Sequence, residues 1–329
     1  MRSKRQINVL ITGATGFIGK MVVDHLISSQ QIEKYDLKLL LPVRDISKAE
    51  NIYCHEGCKR ILFIESDITS QISREYKFPV DYIIHCAAVT QSSYMVSNPV
   101  ESADSIVLGT RNILELAKEK QIKSMVFVSS MEVYGNIPVS DKRVPEEVLG
   151  DVDIFNVRSC YPLAKRMAEH YCYDYFREYG VPVKIARLAQ TFGTGVPRND
   201  TRVFAQFARS VINNEDIVLH TLGNSMGNYC ATEDTVSAIF TLLEKGENGE
   251  AYNVVNEENT MSIREMADLV AKKVSGNRIH VTFDIAENAN YGYAPNTGLR
   301  LSSEKLCKLG WKPTKDLSEM YRDLIQTLK

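Results

Sequence analysis

The sequence has 329 residues, of which 44% are hydrophobic and 24% are charged, and its formal net charge is −2. This length allows one large α/β unit or two smaller domains, and either can bury an extensive core. The near-neutral charge gives no indication of a nucleic-acid partner, and no apolar run reaches the length of a membrane span. We therefore expect small-molecule ligands and neither a nucleic acid nor a membrane as partner.

The seven cysteines are scattered along the chain. They lack the density of a disulfide scaffold and are more typical of reduced thiols in the cytoplasm, where we expect the protein. Cys54, His55 and Cys58 could form part of a metal cluster. No second ligand pair follows at the spacing of a zinc finger, so we expect no metal.

The first predicted unit is a strand at 9–11, a glycine-rich turn and a helix beyond it. Glycine tolerates positive φ and lets a phosphate approach the backbone, and a helix N-terminus offers N–H groups and a favourable dipole. A dinucleotide pyrophosphate would fit there, and the alternative is a turn without a ligand. The candidate cofactor-binding residues are Gly13, Thr15, Gly16, Phe17, Ile18 and Gly19.

A second predicted strand, 37–43, ends in Arg44 and Asp45. At this position a dinucleotide-binding fold places an acid for the ribose 2′-hydroxyl or an arginine for a 2′-phosphate. Arg44, with Lys48 nearby, favours NADP over NAD. The alternative is a solvated charged turn.

The third and fourth predicted strands, 61–64 and 82–84, also end in candidate ligand contacts. Small residues after the fourth strand would let the backbone lie close to a flat ligand. His85 is interpreted as a buried histidine with satisfied hydrogen bonds and no chemical role. The candidate contacts are Asp67, Ile68, Ala87 and Ala88.

A predicted helix at 106–120 and a strand at 125–128 continue the alternation of strands and helices. This alternation predicts a doubly wound parallel sheet, covered on both faces, with ligands at the carboxyl ends of the strands. Ser130 and Glu132 follow the fifth strand, and they would point to the same side if the chain is still extended there.

The stretch 136–158 has no sustained periodicity and is rich in charged residues. We expect a solvated loop for most of it. Because long unstructured segments in compact domains are often lids, a mobile flap over the site is the alternative.

A helix then begins near Tyr161, and Lys165 lies four residues further on. Positions four apart share a helix face, so the phenol and the ammonium are neighbours. A nearby positive charge favours the phenolate, which can take a proton from an alcohol. The pair alone carries little weight, but it follows the glycine turn and Ser130 in this order.

Together these residues resemble the extended short-chain dehydrogenase/reductase family, and within it the epimerases, dehydratases and decarboxylases that modify nucleotide sugars. The resemblance covers nearly the whole chain. Its motifs are the three glycines at 13, 16 and 19, Asp67-Ile68, His85 to Ala88, Ser129 to Gly135, Tyr161 with Lys165, Ala251 to Val254, and Leu309 to Pro313.

The resemblance implies a Rossmann-type sheet and a catalytic set. Tyr161 would act as the base, Ser130 would hydrogen-bond the same substrate oxygen, and Lys165 would hold the nicotinamide ribose and lower the Tyr161 pKa. Hydride transfer from a sugar C4 to the cofactor would then give a 4-keto sugar. Glu132 matches a glutamate of dehydratases and decarboxylases, and in dehydratases it is the base at C5.

Four positions depart from the family pattern. Met131 stands where dehydratases usually place an aspartic acid, and Ile106 and Gln190 replace two common asparagines, the second of which binds substrate. Gly227 stands where many members carry an arginine for the pyrophosphate. If the substrate is a nucleotide sugar, its diphosphate needs other cations, and Arg202 and Arg300 are the candidates.

The last third of the chain contains shorter predicted helices at 202–212, 234–243, 302–309 and 318–328, and a capping box formed by Ser262 and Glu265. We therefore predict an NAD(P)-binding domain at 1–188, to which 234–255 returns. A smaller C-terminal α/β lobe at 189–329 would bind the substrate, with Gln190 among its contacts.

The sequence thus predicts an enzyme that oxidises the C4 hydroxyl of a nucleotide-linked sugar transiently, with NAD or NADP as cofactor. Two alternatives use the same fold: an NADPH-dependent carbonyl reductase, and a non-catalytic protein that senses the cofactor. A sensing protein would need neither Tyr161 nor Lys165. From the resemblance alone we also expect a homodimer.

Overall fold

The computed structural model describes residues 6–28, 31–53, 60–70, 76–138, 140, 142–285 and 297–329. Cys54, His55 and Cys58, considered above for a metal cluster, lie outside these ranges. By its contacts the chain divides into two compact units. The first contains 1–135, 152–187 and 238–252, and the second contains 136–151, 188–237 and 253–329.

The strands formed by the described residues are numbered here in chain order. They are β1 (Ile7–Thr12), β2 (Leu37–Val43), β3 (Ile61–Glu65), β4 (Tyr82–His85), β5 (Ser124–Ser130), β6 (Val183–Leu188), β7 (Gln190–Phe192), β8 (Ile217–Leu219), β9 (Met226–Ala231), β10 (Ala251–Val254), β11 (Asn256–Ser262) and β12 (Val281–Phe283).

The helices are numbered in the same way. They are α1 (Phe17–Ser28), α2 (Gln31–Lys34), α3 (Ile46–Tyr53), α4 (Ser92–Ser97), α5 (Pro99–Lys120), α6 (Cys160–Tyr179), α7 (Val203–Asn213), α8 (Thr232–Lys245), α9 (Ile263–Leu269), α10 (Glu304–Lys308) and α11 (Leu317–Leu328). Short 3-10 turns span Met131–Tyr134 and Val157–Ser159, and a π-helical turn spans Val270–Val274.

The central sheet has seven parallel strands in the order β10-β6-β5-β4-β1-β2-β3. This confirms the predicted doubly wound, Rossmann-type α/β fold. The chain leaves β1 toward β2 on one side and returns to β4 on the other, so the switch in strand order lies between β1 and β4. Ligands of such sheets bind at the carboxyl ends of the strands beside this switch.

The strands and helices of the first unit form because both faces of the sheet are covered. The middle of β2 reads Leu39-Leu40-Leu41, and all three side chains are fully buried, as expected for a strand covered on both sides. In α5, Ile106, Ile113 and Leu114 are fully buried. They belong to a hydrophobic cluster that also includes Tyr161 and Ala164 of α6, so the helix that carries the predicted base is anchored in the core.

The second unit contains two small sheets, in the orders β11-β9-β7 and β12-β8. An aromatic cluster lies beside the first of them: Phe192 stacks on Phe204 with ring centroids 4.5 Å apart and meets the edges of Tyr229 and Tyr321. All four side chains are fully buried. The predicted capping box is confirmed, because Ser262 and Glu265 exchange hydrogen bonds at the start of α9.

The expected solvated loop after Gly135 is confirmed for most of the described part of 136–158, because most of these residues are exposed and none lies in a named strand or α-helix. Parts of 136–151 are nevertheless held in place by specific contacts. Asn136 and Asp151 form an antiparallel bridge, and a Cβ atom on Gly150 would lie 2.1 Å from the Asn136 carbonyl oxygen. The Arg143 guanidinium donates to two backbone carbonyls and pairs with the Glu257 carboxylate at 2.7 Å. Contacts with residues more than 100 positions away therefore fix a segment that has no periodicity of its own.

No helix in the described part of the chain is long and apolar enough to cross a membrane.

Candidate functional site

The glycine turn after β1 has the geometry that close packing of backbone requires. Gly13 has φ +68°, and a Cβ atom there would lie 2.8 Å from the backbone nitrogen of Ala87. A Cβ atom on Gly19 would lie 2.3 Å from the Gly13 carbonyl oxygen, whereas on Gly16 the same oxygen would be 3.2 Å away. Gly13 thus lets the turn pack against the segment after β4, and Gly19 lets α1 pack against the turn, whereas Gly16 is exposed at the tip of the turn.

A buried polar network joins the ends of β1 and β4 beside this turn. The two ring nitrogens of His85 lie 2.6 Å and 3.1 Å from the hydroxyl oxygens of Thr12 and Thr110, and the Ala87 N–H donates to Thr12. Burial, and to a lesser extent the charge of Lys165, lowers the His85 pKa to about 3. His85 is therefore a neutral structural histidine, as the sequence predicted.

The other predicted cofactor contacts also lie at the ends of the strands. Arg44 is exposed directly after β2, while the Asp45 carboxylate accepts the Lys48 N–H at 2.9 Å near the start of α3. The Asp67 carboxylate accepts the N–H and the hydroxyl of Thr69 in a local turn after β3. Asp45 and Asp67 therefore already have structural partners.

Two further predicted contacts are only partly exposed. Ile68 and Ala88 lie half-buried after β3 and β4. Ile68 packs beside Gly109 of α5. A Cβ atom added to Gly109 would lie 2.9 Å from the Cδ1 atom of Ile68.

Ser130 and Glu132 are brought together by a turn and not by an extended strand. β5 ends at Ser130, and a 3-10 turn begins at Met131, so the chain is not extended through Glu132 and the strand alternation considered above does not apply there. The Ser130 hydroxyl accepts the Glu132 N–H at 3.2 Å. Because a hydroxyl has one proton to donate, Ser130 keeps a donor for another oxygen.

Tyr161 and Lys165 lie one helical turn apart at the start of α6. The Lys165 ammonium is 5.9 Å from the centre of the Tyr161 ring and donates to the Val128 carbonyl oxygen at 2.7 Å. Lys165 is 2% exposed and Tyr161 6%. Burial lowers the Lys165 pKa to about 8, and the nearby Glu169 carboxylate opposes this effect.

A buried ion pair ties α6 to the strands beside it. The Arg187 guanidinium on β6 contacts the Glu169 carboxylate at 2.7 Å, and the Ser129 hydroxyl donates to the same carboxylate at 2.5 Å. Arg187 also donates to the Tyr134 hydroxyl at 3.0 Å. Because Ser129 and Tyr134 flank the Ser130–Glu132 turn, this network holds the turn against the helix that carries Tyr161.

Sequence reasoning assigned no role to Arg158, which contacts two of the predicted site residues. Its Nη2 donates to the Glu132 Oε1 at 2.9 Å, and its guanidinium carbon lies 5.5 Å from the centre of the Tyr161 ring. Its position three residues before Tyr161 was the available signal. The stretch 136–158 has no periodicity, so the sequence pattern gives no other indication of a role for this residue.

The predicted substrate contacts belong to the second unit. Gln190 begins β7 and is half-buried. Arg202 makes three guanidinium contacts of 2.6 to 3.1 Å with the Asp200 carboxylate. Arg300 reaches the Met226 sulfur at 4.0 Å. The Glu265 pKa is lowered chiefly by hydrogen bonds from Ser262 and to a smaller extent by the charge of Arg300.

Two departures from the family pattern have a clear structural setting. Ile106 is fully buried in the core of the first unit. The space beside Gly227 is filled by Tyr229, whose hydroxyl oxygen would lie 2.1 Å from a Cβ atom at position 227. A longer side chain at 227 would therefore have to displace a fully buried tyrosine.

The structure thus brings Ser130, Glu132, Tyr161 and Lys165 together in the first unit, with Arg158 added to them. Within the described ranges there is no group of three or more His, Cys, Asp or Glu residues that could hold a metal ion.

Residues 9–256 match the model of the NAD-dependent epimerase/dehydratase family. The chain belongs to this family. Among its relatives, UDP-glucuronic acid decarboxylase 3 of Arabidopsis thaliana is 29% identical over 316 residues, which cover 95% of this chain and 86% of the relative.

Solved structures of the family have the same fold. A UDP-glucose 4-epimerase from Thermotoga maritima, solved with UDP-glucose, has a TM-score of 0.79 at 22% identity and covers 98% of each chain. A UDP-glucuronic acid 4-epimerase from Bacillus cereus, solved with UDP-glucuronic acid and NAD, has a TM-score of 0.78 at 20% identity and covers 98% of this chain and 99% of its own.

Proposed function

We propose that this family member is an NAD(P)-dependent epimerase, dehydratase or decarboxylase that acts on a nucleotide-linked sugar through transient oxidation of the C4 hydroxyl. The observation that carries this proposal is the buried Tyr161–Lys165 pair at the start of α6, beside the Ser130–Glu132 turn. The names of the relatives support the substrate class.

The residues of the glycine turn fit a dinucleotide cofactor. Because the glycines lack a Cβ atom, a pyrophosphate could approach the backbone of the turn and the N-terminus of α1. The small residues Ala87 and Ala88 lie beside the switch point. When bound, the oxidised nicotinamide supplies the acceptor for the hydride that leaves the sugar C4.

Four residues of the first unit would then transfer protons or support their transfer. Tyr161 takes the proton of the C4 hydroxyl while the hydride leaves C4, which gives the ketone. Lys165 supplies positive charge beside the phenol, and Ser130 donates its remaining proton to the same oxygen. Glu132 can take or return a proton at C5, which the C4 ketone makes acidic.

The finer assignments belong to this proposal as well. Arg44, exposed after β2, favours NADP over NAD, since Asp45 is engaged in its turn. We assign substrate binding to the second unit, with Gln190, Arg202 and Arg300 as contacts. Arg300 is the better diphosphate ligand, because Asp200 already neutralises Arg202. A homodimer remains the expectation from family resemblance, and no contact of the described residues favours the carbonyl reductase.

The experiment that tests the function is product analysis with UDP-glucose and UDP-glucuronic acid in the presence of NAD or NADP. We expect a changed sugar with no net reduction of the cofactor. Tyr161→Phe should lower turnover at least about a hundredfold while cofactor affinity is retained, because only the proton acceptor is removed. Stoichiometric consumption of NADPH, or full turnover by the variant, would contradict the proposal.

A further inference from the structure

Arg158 contacts both groups to which the proposed function assigns proton transfer, Glu132 and Tyr161. It lies in the short turn Val157–Ser159, directly before α6, and its Nη2 donates to the Glu132 carboxylate at 2.9 Å. Its guanidinium carbon lies 5.5 Å from the Tyr161 ring centre, a distance typical of a cation–π contact. Glu132 and Tyr161 come from different elements, and Arg158 connects them.

The backbone and the charge of Arg158 suit it to this place. The Asn156 side chain accepts the Arg158 N–H at 2.9 Å and caps the turn, so the guanidinium starts from a fixed point. Arginine stays protonated at all relevant pH values and presents a planar set of donors that matches a carboxylate. A charge-assisted hydrogen bond of this kind holds a carboxylate more firmly than a neutral donor does.

A second observation indicates that Arg158 belongs to a reaction centre and not to a surface ion pair. The Arg158 side chain is 31% exposed, yet its Nη1 is buried and has no hydrogen-bond partner among the described residues. A buried donor without an acceptor costs free energy. An oxygen of a bound substrate would satisfy it.

We infer that Arg158 is a positioning residue: it holds the Glu132 carboxylate at a fixed place beside Tyr161, and its Nη1 donates to an oxygen of the bound sugar. This inference rests on the proposed function. Glu132 receives the C5 proton, whose electron pair moves to the C4 carbonyl oxygen as an enolate. Arg158 itself gains and loses no proton in this step.

The test separates the two half-reactions. Oxidation at C4 is followed as cofactor absorbance near 340 nm after mixing with the nucleotide sugar, and the Glu132 step is followed as incorporation of solvent deuterium at C5. Arg158→Gln should slow deuterium incorporation about 10- to 100-fold and raise the KM, while C4 oxidation at saturating sugar changes less than about threefold. Arg158→Lys keeps the charge and should recover part of the loss.

A double-mutant cycle gives the decisive comparison. If Arg158 acts through Glu132, the variant with both Arg158→Gln and Glu132→Gln should, at saturating sugar, incorporate deuterium no more slowly than Glu132→Gln alone, and the lost contact to the sugar should appear only in the KM. Arg177→Gln is the matched control, because Arg177 also lies against a tyrosine ring on α6 but at its far end. It should change neither half-reaction, and unchanged cofactor affinity in each variant reports an intact fold.

Each result has a distinct meaning. Additive losses in the double variant, or normal deuterium incorporation in Arg158→Gln while Glu132→Gln is impaired, would overturn the role of Arg158 alone. If the unmodified protein oxidises neither UDP-glucose nor UDP-glucuronic acid at C4, the proposed function fails, and the role of Arg158 fails with it.

Discussion

At the scale of single residues, the burial of Lys165 lowers the stability of the folded protein. The residue is 2% exposed, and burial lowers its pKa to about 8 from the usual value of 10.5. The unfolded chain therefore binds more protons than the folded one between these two values, so stability rises with pH in this window. Below about pH 8 the full penalty is present, and at ~1.4 kcal/mol per pKa unit it amounts to about 3 kcal/mol.

Lys165→Met should therefore stabilise the fold while abolishing turnover. We expect the free energy of unfolding to increase by about 1 to 3 kcal/mol near neutral pH, with the smaller value reflecting the lost hydrogen bond to Val128. The gain should shrink as the pH rises from about 8 toward about 10.5, because the folded protein then carries a neutral lysine and protonation favours the unfolded chain less and less. Urea unfolding near pH 7 and near pH 9.5 measures the difference.

Lys272→Met is the matched control, since Lys272 is 68% exposed. Its free energy of unfolding should stay within about 0.5 kcal/mol of the unmodified protein at both pH values. A Lys165→Met variant that is less stable than the unmodified protein near neutral pH would show that the Glu169 charge and the Val128 contact outweigh the cost of burial.

At the scale of elements, the packing of β1, the turn and α1 requires a glycine more strictly at position 19 than at position 16. A Cβ on Gly19 would lie 2.3 Å from the Gly13 carbonyl oxygen, so Gly19→Ala must shift α1 away from the turn. We expect cofactor affinity to fall at least about tenfold and stability by about 1 to 3 kcal/mol, as for other overpacked sites. Gly16→Ala, with its 3.2 Å contact, should be milder in both respects.

Gly180→Ala separates backbone strain from steric overlap. Gly180 ends α6 with φ +72° and has no atom within 4 Å of an added Cβ. Its replacement should lower stability by about 1 kcal/mol and leave cofactor affinity unchanged. Titration of each variant with NAD and thermal unfolding test the series, and normal NAD binding by Gly19→Ala would show that the turn can relax.

Elements with a strong local signal were predictable, and those fixed by distant contacts were not. The apolar run 37–43 predicted β2 with its observed bounds, and the capping box at Ser262 was predicted from four residues. Arg143 is held by residues more than 100 positions away, and no local pattern records such a pairing. No local pattern indicates the Glu169–Arg187 pair either, although its members are only 18 positions apart, on a helix and on the strand after it.

At the scale of the whole chain, the two units do not correspond to two continuous pieces of sequence. The first unit takes 238–252 from between two stretches of the second, 188–237 and 253–329, and this stretch leads into the edge strand β10 of the central sheet. There the Ile185 N–H donates to Glu250, the Gly249 N–H donates to Val183, and the Ser124 hydroxyl donates to Leu243. A cut after Arg187 removes all of these bonds.

We therefore expect a fragment of residues 1–187 to fail to fold, although it contains every residue assigned here to the cofactor and to catalysis. Without β10, the strand β6 becomes an unprotected edge, and exposed edges of this kind promote aggregation. Joining 238–254, which contains all of β10, to the fragment through a flexible linker of about twelve residues should restore the sheet and NAD binding, because such linkers span short gaps at small entropic cost. Circular dichroism and NAD titration compare the two proteins. If the shorter fragment binds NAD as tightly as the full chain does, the sheet is complete without β10. Residues 238–252 would then stabilise the second unit and not the first.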